Sequence, residues 1–183
     1  MIKIGIIGAP GTGKSTLAKE LAKSIDFKYV DEYAREWIAR YGEVKTLEEQ
    51  LLITKTQLYR EEKSGNRIVT DSPIFLGNVY ASMLPFNHKD YLTGRYGLDV
   101  LNELQYLLIN TRDRYLYLFY LPPILDPVDD GVRVQTTKED QLYVDNKIIG
   151  LLHLYNIDYI KVDCDPKDRI TFTEDYIQER CAL

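Results

Sequence analysis

The eight residues Gly8-Ala9-Pro10-Gly11-Thr12-Gly13-Lys14-Ser15 fit the pattern G-x-x-x-x-G-K-[ST], a loop suited to holding phosphate groups. Glycines at this spacing let consecutive backbone N–H groups turn inward on an anion. A helix starting at the end of the loop adds the positive pole of its dipole. Lys14 then reaches the β- and γ-phosphates of a nucleotide, and the Ser15 hydroxyl takes a place on Mg²⁺. Gly8, Pro10, Gly11, Thr12, Gly13, Lys14, Ser15 and the adjoining Thr16 are therefore the candidate ATP-binding residues, with Ser15 also a candidate metal ligand.

Three further groups of residues can do chemistry on such a phosphate. Asp31 and Glu32 follow the apolar run Phe27–Val30, and either can accept a proton from a hydroxyl or hold that hydroxyl in line for attack. Acids there also suit the dipole of a following helix. Asp71 ends the run Arg67–Thr70, where one carboxylate holds Mg²⁺ directly or through water; it also suits an N-cap. Because Ser72 and not a glutamate follows it, the sequence supplies no adjacent carboxylate pair for activating water, which favours transfer to a bound acceptor over hydrolysis. Arg133 lies in the polar segment Asp126–Lys138 and is the candidate for stabilising a transferring phosphoryl group in cis, if that segment closes over the site as a lid and is not simply a solvent loop. Trp37 can stack on a base or pack into the core, and His88 and Arg95, in an irregular stretch from Pro85 to Gly97, can touch substrate or face solvent.

The elements that must position these residues alternate. Strands are expected at Ile2–Ile7, Phe27–Val30, Arg67–Thr70, Tyr115–Leu121 and Ile157–Val162, each a short apolar run rich in branched or aromatic residues. Helices are expected at Ser15–Ser24, Tyr33–Arg40, from the capping box Thr46-Leu47-Glu48-Glu49 to Ser64, from Pro73, at Leu98–Asn110, Lys138–Tyr155 and Pro166–Arg180. Strand–helix alternation with acids at strand ends gives an α/β protein of P-loop NTPase fold: three layers, a five-stranded parallel sheet with helices on both faces, and a lid at about 126–138. Residues 1–183 are expected to form one such domain.

Composition narrows the partners. A net charge of −5 and a pI near 5.1 disfavour nucleic acid as a general ligand. No apolar run approaches the ~20 residues of a membrane span, and Cys164 and Cys181 show neither disulfide nor zinc spacing, so a cytoplasmic protein with reduced thiols is expected, as monomer or homodimer.

The loop motif, the acid pair followed by Tyr33-Ala34-Arg35-Glu36-Trp37, the strand-end Asp71 and Asp129-Asp130-Gly131-x-Arg133 together resemble a family of P-loop kinases. It is the family that contains the ribosylnicotinamide kinase half of the bacterial bifunctional NAD regulator, grouped with AAA-like ATPase and kinase domains. The spacing of Glu32 and Trp37 is also similar to the Glu-Pro-x-x-x-Trp pattern of deoxyribonucleoside kinases, although Tyr33 replaces the proline and Ser72 an arginine that follows the strand-end acid in those enzymes. The resemblance implies an ATP- and Mg²⁺-dependent kinase acting on a nucleoside-like small molecule (ribosylnicotinamide, a nucleoside or a nucleoside monophosphate), with Glu32 as base and Tyr33, Arg35 and Trp37 near the acceptor. A kinase acting on a nucleic-acid hydroxyl, or an ATP-switched ATPase or binding module, are the alternatives.

Overall fold

Strands buried on both faces, as Ile2–Ile7 and Tyr117–Tyr120 of this chain are, suit the centre of a parallel sheet covered by helices on each side. The computed structural model describes residues 2–84, 95–126 and 137–180. In it β1 (Ile2–Ile7), β2 (Lys28–Val30), β3 (Arg67–Thr70), β4 (Tyr117–Tyr120) and β5 (Ile160–Lys161) form one sheet in the order β2-β3-β1-β4-β5. Every pairing is parallel, with Ile4 opposite Val69 on one side and Tyr117 on the other. All carboxyl ends therefore open on one edge, and Asp31, Glu32 and Asp71 lie there beside the phosphate loop.

Seven α-helices are described: α1 (Lys14–Ser24), α2 (Tyr33–Tyr41), α3 (Leu47–Lys63), α4 (Leu76–Ala81), α5 (Arg95–Thr111), α6 (Lys138–Leu154) and α7 (Arg169–Arg180), the last entered through a 3₁₀ turn at Pro166–Asp168. The strand period of two divides the core. Ile4, Ile6, Tyr117 and Phe119 pack with Leu17 and Leu21 of α1 and Ile177 of α7. Ile7, Leu118 and Tyr120 pack on the opposite face with Val79 of α4, Leu108 of α5 and Ile148 of α6. This is the three-layer α/β arrangement expected.

Two starts and one strand differ from the sequence reading. The helix expected from Pro73 begins at Leu76. The Ile74 N–H, which a cap at Asp71 would accept, goes to the Tyr115 hydroxyl at 2.9 Å, and Leu76 and Gly77 bond back to Pro73 and Ile74 in i,i+3 turns before the α-helical pattern begins. Asp71 consequently caps no helix. The strand at Ile157–Val162 shortens to Ile160–Lys161, because only these two residues pair with β4 as ladder partners. The capping box on α3 forms as read, with Glu49 N–H on the Thr46 hydroxyl and Thr46 N–H on the Glu49 carboxylate. Arg133 and His88 lie outside the described residues, as does most of the 126–138 segment; Arg95 is the first residue of α5.

At the opposite end of β1, Lys3 is buried with Glu61 of α3, whose carboxylate also accepts from Arg114 Nε at 2.8 Å and the Tyr115 hydroxyl at 2.7 Å. This charged knot ties α3 to the sheet. Burial pushes the Glu61 carboxyl upward, against the pull of its donors and cations.

Candidate active site

The phosphate loop is shaped by two glycines for different reasons. At Gly8 a Cβ would come within 2.5 Å of the Leu121 carbonyl oxygen, so only glycine allows the loop to leave β1 this close to the end of β4. Gly13 has φ +89° at the N-cap of α1, a left-handed conformation natural to glycine. Helix α1 has no side-chain cap and no acid in its first turn. Its first N–H groups and its dipole are left for an anion.

Side chains hold the loop's carbonyls. Thr12 Oγ1 and Lys14 Nζ both donate to Ala9 O, at 2.9 and 2.8 Å. Gln141 Nε2 of α6 donates to Pro10 O at 2.7 Å, and Arg169 Nη1 of α7 donates to Thr12 O at 2.6 Å. The N–H and C=O of one peptide point in opposite directions, so fixing the carbonyls fixes the orientation of the N–H groups. Arg169 is 3 % exposed, and its Nε and Nη2 are buried without hydrogen-bond partners, as is Gln141 Oε1. Burial lowers the Arg169 guanidinium below its ordinary range. A phosphate loop braced by a buried cation suits an anionic ligand.

Asp71, 1 % exposed, faces the start of α1. Burial raises its carboxyl above the usual range; the Ser15 hydroxyl beside it opposes that rise, the Glu32 charge adds to it, and the Tyr29 hydroxyl and Lys14 oppose it further. Asp71 Oδ2 accepts from the Tyr29 hydroxyl at 2.9 Å, while Oδ1 is buried without a hydrogen-bond partner. No group of three or more His, Cys, Asp or Glu able to hold a metal is present among the described residues. Mg²⁺ does not need one: it takes one or two protein ligands and completes its shell with water and phosphate oxygens. One hydroxyl, of Ser15, and one carboxylate, of Asp71 with its orphaned Oδ1, next to a phosphate loop fit that requirement.

The acid pair at the end of β2 is split. Glu32, 8 % exposed, makes no cap bond to α2 and accepts from Arg35 Nε at 3.2 Å. Asp31 is 66 % exposed and pairs with Arg60 Nη1 at 3.5 Å. Arg60 also bonds Glu36 and lies over the Tyr33 ring at 4.4 Å. Gln57 of α3 clamps the turn between them, accepting from Tyr33 N at 2.8 Å and donating to Asp31 O at 3.1 Å and Thr70 Oγ1 at 3.4 Å. Adjacent residues in an extended turn point opposite ways, and the clamp decides which acid points inward.

Glu32 lines a narrow cleft of about 20 Å³ between α2, α3 and α4, lined also by Ile53, Gln57, Ser72, Ile74 and Tyr80. Ala34 is the residue of α2 on its wall; Tyr33, Arg35 and Trp37 are not among the lining residues. The Trp37 ring is half-buried against Tyr41 at 4.7 Å between centroids, with its Nε1 buried and without a hydrogen-bond partner.

Tyr29, Gln57, Gln141 and Arg169 are site residues that reading the sequence missed. Only Tyr29 carries a local signal, as the strand residue two positions before Asp31, and nothing in the sequence links it to Asp71.

A parallel β2-β3-β1-β4-β5 sheet with this loop between its central strand and α1 defines a nucleotide-binding α/β domain of the P-loop class. The chain belongs to the AAA domain family, which matches residues 3–169. No curated protein matches it. Among solved structures it is similar to a NadR protein in complex with NR, at 21 % identity and a TM-score of 0.77, covering 100 % of this chain and 52 % of that one. It thus spans about half the length of that protein. It is also similar to deoxyadenosine kinase from M. mycoides with bound dATP (18 % identity, TM-score 0.61, 97 % and 100 % covered) and to thymidylate kinase from Candida albicans (16 %, 0.65, 97 % and 91 %).

Proposed function

We propose that this protein is an ATP- and Mg²⁺-dependent kinase that transfers the γ-phosphate to the hydroxyl of a nucleoside-like small molecule. The observation that carries the reading is the position of Glu32: a buried carboxylate heading a cleft, close enough to Asp71 for its charge to raise that carboxyl, beside the phosphate loop. The neighbours of similar fold include a deoxyadenosine kinase and a NadR protein bound to NR, which supports an acceptor of nucleoside type.

The chain's residues would act as follows. Lys14 exchanges the Ala9 carbonyl for the β- and γ-phosphates, and the N–H groups of the loop and of the first turn of α1 bind the same oxygens. Ser15 and Asp71 would hold Mg²⁺, which when bound neutralises charge that develops on the phosphates. Glu32 accepts the proton of the acceptor hydroxyl as its oxygen bonds to the γ-phosphorus and the bond to the β-phosphate oxygen breaks, giving ADP and the phosphorylated acceptor. Arg133 is the candidate for further charge on the transferring group.

The cleft also selects. Of its described lining residues, Glu32 is the one carboxylic acid, and no lysine, arginine or histidine joins it. A negative charge there disfavours an acceptor that already carries phosphate and favours a neutral or cationic one, such as a nucleoside or ribosylnicotinamide. ADP release with Mg²⁺ and ATP, measured alone and with nucleosides, deoxynucleosides, ribosylnicotinamide, nucleoside monophosphates and short oligonucleotides, tests this. Release should rise with the nucleoside pools, and Glu32→Gln should lower it ~10²- to 10⁴-fold while ATP binding persists. Fast release without acceptor would replace the kinase by an ATPase.

A further inference from the structure

We propose that Tyr29 is a positioning residue for the metal site: its hydroxyl locks the Asp71 carboxylate so that Oδ1 faces the cation. The inference rests on the reading of Asp71 as a metal ligand. The geometry that carries it is the asymmetry of the two carboxylate oxygens. Oδ2 is committed to the Tyr29 hydroxyl at 2.9 Å, and Oδ1 is buried with no hydrogen-bond partner. Leaving one oxygen of a buried carboxylate unsatisfied is costly, and such a group is kept where a ligand completes it.

Tyr29 can do this because of where it stands. It lies on β2, opposite Val69 in the register with β3, so its ring crosses toward the end of the neighbouring strand, where Asp71 sits. The ring is fixed independently of the hydroxyl: it packs against the core cluster of β1 and α1, and the Lys19 ammonium lies over it at 5.5 Å. A donor held rigidly on one oxygen fixes the carboxylate plane. Outer-shell donors of this kind orient the ligand and change metal affinity by about 10- to 100-fold when removed. Among the described residues the Tyr29 hydroxyl makes the one hydrogen bond to Asp71, and the Ser15 hydroxyl lies beside the carboxylate.

Tyr29→Phe removes the hydroxyl and keeps the ring. The measurement is the affinity of the full chain for AMP-PNP, with Mg²⁺ and with EDTA, in the natural protein, Tyr29→Phe and Asp71→Asn. The readout is the gain in affinity that Mg²⁺ confers. In Tyr29→Phe the gain should shrink about tenfold while metal-free binding stays within twofold, the latter showing that fold and phosphate loop are intact. In Asp71→Asn the gain should be lost. If Asp71→Asn loses the gain and Tyr29→Phe keeps it within twofold, Tyr29 does not position the ligand and the proposal is overturned while the metal site stands. If Asp71→Asn keeps the gain, Asp71 is not a ligand and both readings fall.

Discussion

Replacing Gln57 by leucine tests whether one buried amide decides which acid of the Asp31-Glu32 pair serves the site. The side chain satisfies Tyr33 N–H and the Asp31 carbonyl, and both bonds are partly buried. Thr70 Oγ1 keeps its second partner, the Ser72 N–H at 3.2 Å, and so loses little. Stranding two backbone groups costs about 1–3 kcal/mol each when they are fully buried, and the lower end applies here because water reaches this turn, so the loss should be about 2 kcal/mol. For a chain of this size that corresponds to a fall in Tm of ~4–8 °C by circular dichroism. Leucine restores most of the volume, so no large cavity term is added. The freed turn can rotate Glu32 out of the cleft, and turnover should fall at least ~10-fold with AMP-PNP affinity unchanged, because Gln57 touches nothing in the phosphate loop. Thr56→Ala, one residue away on the exposed side of α3, is the control and should alter neither. A Gln57→Leu protein with native Tm and native turnover would refute the clamp.

Three other outcomes follow from the geometry. Lys14→Ala should abolish transfer by about two or more orders of magnitude while circular dichroism shows a native fold; an active, folded variant would remove the phosphate-loop assignment. Gly8→Ala should push the loop from the Leu121 carbonyl, costing ~1–3 kcal/mol in denaturant unfolding and weakening AMP-PNP binding in calorimetry. Asp71 titrates above its unfolded value in the metal-free protein, so its contribution to stability is complete below that unfolded value and is lost as pH rises through the folded one. Asp71→Asn escapes that loss and should melt ~2–4 °C higher than the natural protein at pH 7 in EDTA, about 1 kcal/mol, with the advantage shrinking as pH falls into the carboxylate range. A constant difference from pH 7 to 4 would contradict the buried-charge account.

What the amino-acid sequence determined by itself is whatever a contiguous stretch can encode. The phosphate loop needs eight neighbouring residues, the α3 capping box four, and the alternation of apolar runs with helical periodicity settles a parallel α/β sheet, because each signal acts within one or two turns of chain. The tertiary structure decided the rest through contacts across long separations. Asp31 and Glu32 are chemically near-equivalent in sequence; a glutamine 24 residues beyond Tyr33, bonded to the turn they share, turns one inward and leaves the other to Arg60. Asp71 reads as a cap or a ligand until Tyr115, 41 residues beyond Ile74, takes the N–H that a cap would accept. Ser72 announces no second carboxylate after Asp71, yet the sheet brings Glu32 near it from another strand. Arg169 braces Thr12 from 157 residues away, and no local pattern marks it, because a buried arginine is stable only among the partners that the folded chain provides.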